Sequence, residues 1–412
     1  MIQARALFYA LVVSFLIALI SGLLISLSHL QRLQQIDQNQ HARLNRNVKS
    51  GINLLLGSLQ DEIPLQYMDI YDTGEDSIMM MKGNWGLFSV ASVVAYAQTI
   101  GGKDTLGRSM LIGEKVLPGS YPALYLADRN FPLSVAGHTA VRGTAYLPAA
   151  GVKRSSVGGS PYVGSQLIYG EQQRSGTELW PVSKTKIQKI LDNFVQPNGH
   201  AQILIDSLRQ PFTQGTAIIS GQSIQLSSQK LAGNIIVKAS SEIVVHKGSQ
   251  LDDILLYAPK IIFKAGFVGE VQAFATDSII VEEGCTLSYP SVLGLLQCER
   301  SPESVSLNIS NNCNIEGLVF AVQTIYFRKQ PIVVIGEKAT VMGLVWVDGL
   351  LEQRGTVLGS VQCESFLLTL SSGIHQNHLL NATIDQGRLP KDFVGPFFDD
   401  KKAKKAIAKW IN

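Results

Sequence analysis

From Ala6 to Leu27 the chain runs 22 residues of mainly Leu, Ile, Val, Ala and Phe, and no charged side chain falls between Arg5 and Arg32. At about 1.5 Å per helical residue, such a run spans a hydrocarbon core of roughly 30 Å. A cleaved signal peptide is the competing reading, because Ser26-Leu27-Ser28 loosely resembles a small-x-small cleavage site. Its apolar region should hold only about 7 to 15 residues. The pattern therefore predicts a retained transmembrane anchor over residues 1–30. Beyond it, Leu30, Leu33, Ile36, Leu44, Val48, Ile52, Leu55 and Leu59 recur at steps of three, four or close multiples. That spacing carries the helix onward as an amphipathic stalk over 31–63, with Gly51 the place where a break would fall.

From Pro64 to Pro211 the pattern changes to short apolar runs, such as 78–81, 87–90, 123–126 and 145–147, separated by Gly83-Asn84, Gly101-Gly102, Pro118-Gly119 and Gly158-Gly159. These predict strands and turns, hence a small mainly-β module over 64–211. Its one helix is expected at Lys184 to Phe194, where Ile187, Ile190, Leu191 and Phe194 share a stripe.

From about residue 212 to 385 the hydrophobic pattern repeats. Ile243-Val244-Val245, Ile261-Ile262-Phe263 and Ile279-Ile280-Val281 are spaced by 18 residues, as are Gly248, Gly266 and Gly284, and Leu251, Gly269 and Leu287 form a further column. An 18-residue period is one turn of a three-sided parallel β-helix, with strands stacked at about 4.8 Å and glycine at corners. A second form, apolar-x-Gly-x-Val, recurs at Phe267–Val271, Ile315–Val319, Val341–Val345 and Val357–Val361. Its uneven separations require loops in the later coils, one of them at 290–303. The fold class expected is mainly β: a parallel β-helix solenoid preceded by a transmembrane helix, a helical stalk and the small mainly-β module. An antiparallel sandwich would alternate but would have no reason to repeat a glycine at a constant offset.

Two resemblances follow from these residues. Val268-Gly269-Glu270-Val271-Gln272-Ala273 followed by Ser278-Ile279-Ile280-Val281-Glu282-Glu283-Gly284 resembles the repeats of bactofilins, polymer-forming cytoskeletal proteins whose compact β-helix assembles end to end. The likeness covers roughly residues 216 to 370. It implies architecture and the option of polymerisation, and no catalytic residues. The basic leader, apolar segment and continuing helix are similar in outline to the N-terminal half of a type IV pilin or minor pseudopilin. The Gly before Phe or Met at the pilin processing site, and the Glu five residues into the mature chain, do not occur here.

Composition narrows the chemistry. Charged residues make up 16% of the chain and the net charge is +3, but five of the 35 basic side chains fall in the last twelve residues. The body is thus almost neutral, which argues against a nucleic-acid partner. Gly170 to Thr177 faintly resembles a phosphate loop without the Gly-Lys-Ser/Thr end and reads as a surface loop. His375 and His378 sit three apart with no evident third ligand, so a polar turn is expected rather than a metal site. Cys285, Cys298, Cys313 and Cys363 include no C-x-x-C pair. They read as small apolar fillers of the coil, with a Cys298–Cys313 disulfide as the oxidising-compartment alternative. Asp252, Asp253, Asp277, Glu282, Glu283 and Glu299 could serve a polysaccharide-cleaving β-helix, but they fall at different corners and suit a solvated rim.

The last segment, 386–412, ends in Asp399-Asp400 followed by lysines interleaved with Ala403, Ala406, Ile407, Trp410 and Ile411. It is expected to form a short basic amphipathic helix that docks on the open end of the coil or lies on an anionic membrane. No residue is assigned a catalytic, cofactor-binding or metal-binding role, and no cofactor is expected. The expected function is that of a non-enzymatic, membrane-anchored structural or assembly component of a bacterial cell envelope. It would cross the inner membrane once and use protein partners or self-association. A polysaccharide-binding or polysaccharide-cleaving β-helix protein is the alternative. The short leader before a long apolar segment favours a periplasmic head. Arg32, Arg43, Arg46 and Lys49, which follow the span, favour a cytoplasmic one.

Overall fold

The computed structural model describes residues 2–70, 72, 76–99, 102–117, 119–194, 206–399 and 404–411. The chain forms two units, Met1–Lys82 with Ser92–Arg108, and Gly83–Ala91 with Ser109–Asn412. Strands Asp76–Trp85, Phe88–Thr99 and Gly102–Lys115 contribute residues to both.

In the first unit one helix runs from Ile2 to Gly57 without a break at Gly51. Its apolar side chains meet two environments. From Leu7 to Ile36 they are exposed, and this stretch is long and apolar enough to cross a membrane. Leu44, Val48, Ile52 and Leu55 are buried, one helical turn apart. Asp76 secures this docked part: its carboxylate accepts from Arg43 Nη2 at 2.8 Å and from Asn47 Nδ2 at 3.0 Å. Gly51 faces the sheet so closely that an added Cβ would lie 2.6 Å from Val93 Cγ1. The glycine here makes room for the sheet instead of ending the helix. Gly51→Leu should therefore destabilise the docked helix by about 2 kcal/mol. Thermal unfolding of the full chain in detergent checks this, and adding Val93→Ala should restore part of the loss.

In the second unit the strands are mainly parallel and stack in register. The 18-residue step seen in the sequence is a pairing step: Ile243 pairs with Ile261, and Ile261 with Ile279. The column continues through Leu307, Val333 and Leu351. A second column runs Ile219, Val237, Leu256, Ala273, Leu293, Val319, Val345 and Val361. A third joins Leu287, Ile315, Val341, Val357 and Ile384. Side chains of the three columns fill one interior and are almost wholly buried. At about 2 kcal/mol for each fully buried Ile or Leu, this interior is the main stabiliser of the unit.

Several expectations are corrected. The boundary at 211/212 does not separate a module from the parallel stack. Val361 pairs with Leu124, Leu124 with Ala145, and Ala145 with Gln172, so 124–174 extends the stack beyond residue 361, and the sheet path closes on itself. These strands are only three residues long, and the pairing that joins them to the stack reaches from Leu124 to Val361, so they leave no period in the sequence. The segment read as a surface loop, 170–177, holds strand Gln172–Arg174 of this stack. The loop placed at 290–303 begins later, because strand Thr286–Gln297 runs through Pro290. In the apolar-x-Gly-x-Val form, Gly317, Gly343 and Gly359 stack directly, whereas Gly269 pairs with Leu287, two positions out of that column. The helix near 184 is found as Lys184–Asp192, with Ile187 and Ile190 buried.

The C-terminal helix is also corrected. Lys405–Ile411 is a strand, antiparallel to residues 109–114 of strand Gly102–Lys115. The helix reading rested on the placement of acids and lysines and on one apolar stripe, all local cues. A row of vacant backbone donors and acceptors on the neighbouring strand outweighs them. Residues 400–403 and 412 of that expected helix lie outside the described residues.

Candidate functional site

Three segments far apart in sequence bring Asp252, Asp253, Glu270 and Lys409 together. Asp252 ends strand Gln250–Asp252, and Asp253 follows at a turn with φ of +62°, a left-handed conformation that Asp tolerates better than most residues. Glu270 lies one coil later, between strands Val268–Gly269 and Val271–Val281. Lys409 comes from the terminal strand. There the register slips between Ile407 and Lys409, so that Ala408 is the extra residue of a bulge. Such bulges re-aim the side chains beside them.

The Lys409 ammonium donates to Asp252 Oδ1 at 2.8 Å, to Asp253 Oδ1 at 3.2 Å and to Glu270 Oε2 at 2.6 Å. Asp253 and Glu270 are largely buried, whereas the Asp252 side chain is 61% exposed. One ammonium cannot neutralise three carboxylates, so the cluster retains a proton. Burial first, then a hydrogen bond to Asp253 and the charge of that neighbour, push the Glu270 carboxyl up to about 9 against the pull of Lys409. Burial acts against the charged Lys409. The charges of Asp253 and Glu270 and the hydrogen bonds it donates to Asp252 and Glu270 outweigh it and raise the pKa above the ordinary lysine value. Glu270 thus holds a proton beside a fixed cation and the Asp253 carboxylate.

The same corner holds the turn 85–87. Trp85 Nε1 donates to the Asp253 carbonyl at 3.0 Å, and the buried Gln272 side chain accepts from Leu87 N at 2.9 Å and donates to the Trp85 carbonyl at 2.9 Å. Beside it lies an open groove of about 500 Å³ whose lining includes Arg209, Lys230, Asp252, Val268, Glu270 and Ser288. Asp252, Asp253 and Glu270 carry oxygens within 4.8 Å of one another, as a site for a hard divalent cation would require. Lys409 already stands at that position. The arrangement is an internal ion lock that fixes the terminal strand to the coil.

Of the acids singled out from the sequence, Asp252 and Asp253 belong to this cluster. Glu282 is paired with Lys264 at 2.7 Å, Glu283 accepts from Asn312 Nδ2 at 2.7 Å, Asp277 accepts from the Thr276 hydroxyl at 3.0 Å, and Glu299 is exposed after strand Thr286–Gln297. The rings of His375 and His378 lie 5.4 Å apart, and His378 Nδ1 meets the Gln376 carbonyl at 2.7 Å. Cys285, Cys313 and Cys363 are buried and Cys298 is half-buried; all four are free thiols, so the Cys298–Cys313 disulfide is not formed. Glu270 and Lys409 were missed. Glu270 could have been found, because it lies 18 residues after Asp252, one coil period.

No family model and no curated protein matches the sequence. The crystal structure of the competence-associated pilin ComZ from Thermus thermophilus is a structural neighbour, with 8% identity and a TM-score of 0.25 over 90% of this chain and 94% of that one. So loose a superposition lends no weight to any reading of fold or function. The bactofilin resemblance has no counterpart in the family and curated comparisons.

Proposed function

We propose that the chain is a non-enzymatic, membrane-anchored assembly component of a bacterial cell envelope, with a parallel β-helix as its working surface and its head outside the cytoplasm. The observation that carries this reading is the single helix Ile2–Gly57, apolar and exposed from Leu7 to Ile36 and buried from Leu44 to Leu55. An exposed apolar stretch of that length is stable in lipid and aggregates in water. The three parallel columns support the β-helix, and its flanks and ends offer backbone edges to protein partners or to a second copy. An enzymatic or glycan-gripping role is less well supported. The groove beside Glu270 has no aromatic ring among its described lining residues, and Lys409 occupies the centre of the acid cluster.

Membrane fractionation tests the anchor. The full chain should stay in the pellet after alkaline carbonate washing, and deletion of residues 7–27 should move it to the soluble fraction. Full carbonate release of the intact chain would overturn the anchor. Protease added to spheroplasts should digest residues after 60, and a protected head would reverse the orientation.

A further inference from the structure

The buried interior holds two thiols in adjacent layers that take no part in the ion lock. Thr286 pairs with Asn314, which places Cys285 directly beneath Cys313, and Asn314 N donates to the Cys285 carbonyl at 2.9 Å. Both side chains are buried, and each thiol shifts the other's protonation. Each also approaches a backbone carbonyl: Cys285 Sγ that of Lys264 at 3.2 Å, and Cys313 Sγ that of Glu282 at 3.2 Å. Adjacent parallel strands stand about 4.8 Å apart, within the Cα separation of about 4.4–6.8 Å that a disulfide spans. From the sequence alone, a Cys298–Cys313 disulfide is the alternative to four unpaired fillers. Cys298 instead sits after the end of strand Thr286–Gln297, with its sulfur 3.7 Å from Ser301 Oγ.

We infer that Cys285 and Cys313 are a dithiol site that oxidises to a coil-to-coil disulfide by exchange with a disulfide oxidant, either a small-molecule disulfide or the disulfide of a thiol oxidoreductase. Cys313 is the attacking sulfur. The hydrogen bond from Cys285, with backbone donors at Cys285 and Gly284, outweighs burial and lowers its thiol to about 7. Cys285 is the sulfur that keeps its proton, held up by the same hydrogen bond and then by burial. In the first step the Cys313 thiolate attacks the oxidant's disulfide, forming a mixed disulfide and expelling one thiolate. In the second, Cys285 loses its proton, attacks Cys313 Sγ and expels the other thiolate. One S–S bond forms in the protein and one breaks in the oxidant, which is reduced to two thiols that take up both protons. Because both sulfurs are buried, exchange requires a transient opening of this layer that exposes Cys313 while Cys285 stays beside it. The finished bond is shielded from reductant.

Oxidative refolding tests the pair whichever side of the membrane the head occupies. The reduced, unfolded full chain is refolded in detergent with oxidised and reduced glutathione, alkylated in denaturant and mapped by mass spectrometry. The expected product carries a peptide linking Cys285 to Cys313, with alkylated Cys298 and Cys363. Its thermal midpoint should lie about 5 °C above that of protein refolded with reductant alone. Cys298→Ser should leave the link intact, and Cys313→Ser should leave three alkylated thiols. Four alkylated thiols in the refolded wild type, or a link through Cys298 or Cys363 in comparable yield, would overturn the assignment.

Discussion

Lys409→Met is expected to lower the stability of the full chain in detergent by about 3 kcal/mol, because it withdraws the cation that faces two largely buried carboxyls. Asp252, mostly exposed, should contribute little of this loss. The test is urea unfolding at pH 7, followed by tryptophan fluorescence. Adding Glu270→Gln to Lys409→Met should recover at least part of the stability, since it removes one of the two acids left facing each other. A loss below about 0.5 kcal/mol for the single change would mean that solvent already neutralises the cluster.

The same cluster sets a pH dependence whose sign follows from Glu270. Its carboxyl titrates near 4.5 in an unfolded chain and is pushed up to about 9 in the folded one. Between those values the folded state binds more protons, so this group lowers stability as pH rises through the window. Asp252, Asp253, Lys409 and Tyr289 are the ionisable neighbours. Lys409 keeps its contribution below its ordinary value and loses it only above that. Glu270→Gln should therefore flatten the decline in stability between about pH 5 and 9 in unfolding curves taken across that range. An unchanged slope would place the proton on a group other than Glu270.

Much of this arrangement could be read from the chain before the structure. The span from Leu7 and the buried face at Leu44, Val48, Ile52 and Leu55 follow from hydrophobic spacing alone. So does the register of Ile243, Ile261 and Ile279, because in a regular coil equal spacing means vertical stacking. Where coil length varies, that rule fails. Leu124 stacks on Val361 through a pairing that no period announces. The ion lock was half legible for the same reason: Asp252 and Glu270 are one period apart, but Lys409 arrives from a strand that resembles a helix in composition. Its aim depends on a bulge at Ala408 that only the pairing with residues 109–114 creates. Gly51 was misjudged because propensity counts glycine as a breaker, whereas the packed sheet makes its missing Cβ an advantage.

Gly343→Ala should abolish folding of the parallel stack. Gly317, Gly343 and Gly359 stack in one column with φ of +144°, +143° and +153°. Side chains rarely adopt that region, and strain is only part of the difficulty. A Cβ on Gly343 would fall on the Gly317 carbonyl oxygen, and one on Gly359 would fall on that of Gly343. Both obstacles are backbone and cannot turn aside as a side chain can. Relief would require the strands to part, which breaks the hydrogen bonds of that layer and opens the columns at Val341 and Val345. The combined cost should exceed about 4 kcal/mol, beyond what a marginally stable fold tolerates. Gly266→Ala is the matched control: φ there is +75°, but open space surrounds the position. That change should cost only about 1 kcal/mol. Protease resistance and circular dichroism of the two purified variants separate backbone collision from backbone strain. If Gly343→Ala stays as resistant as Gly266→Ala, the corner can be recast in an ordinary extended conformation. The glycine column would then be a matter of composition and not a requirement of stacking.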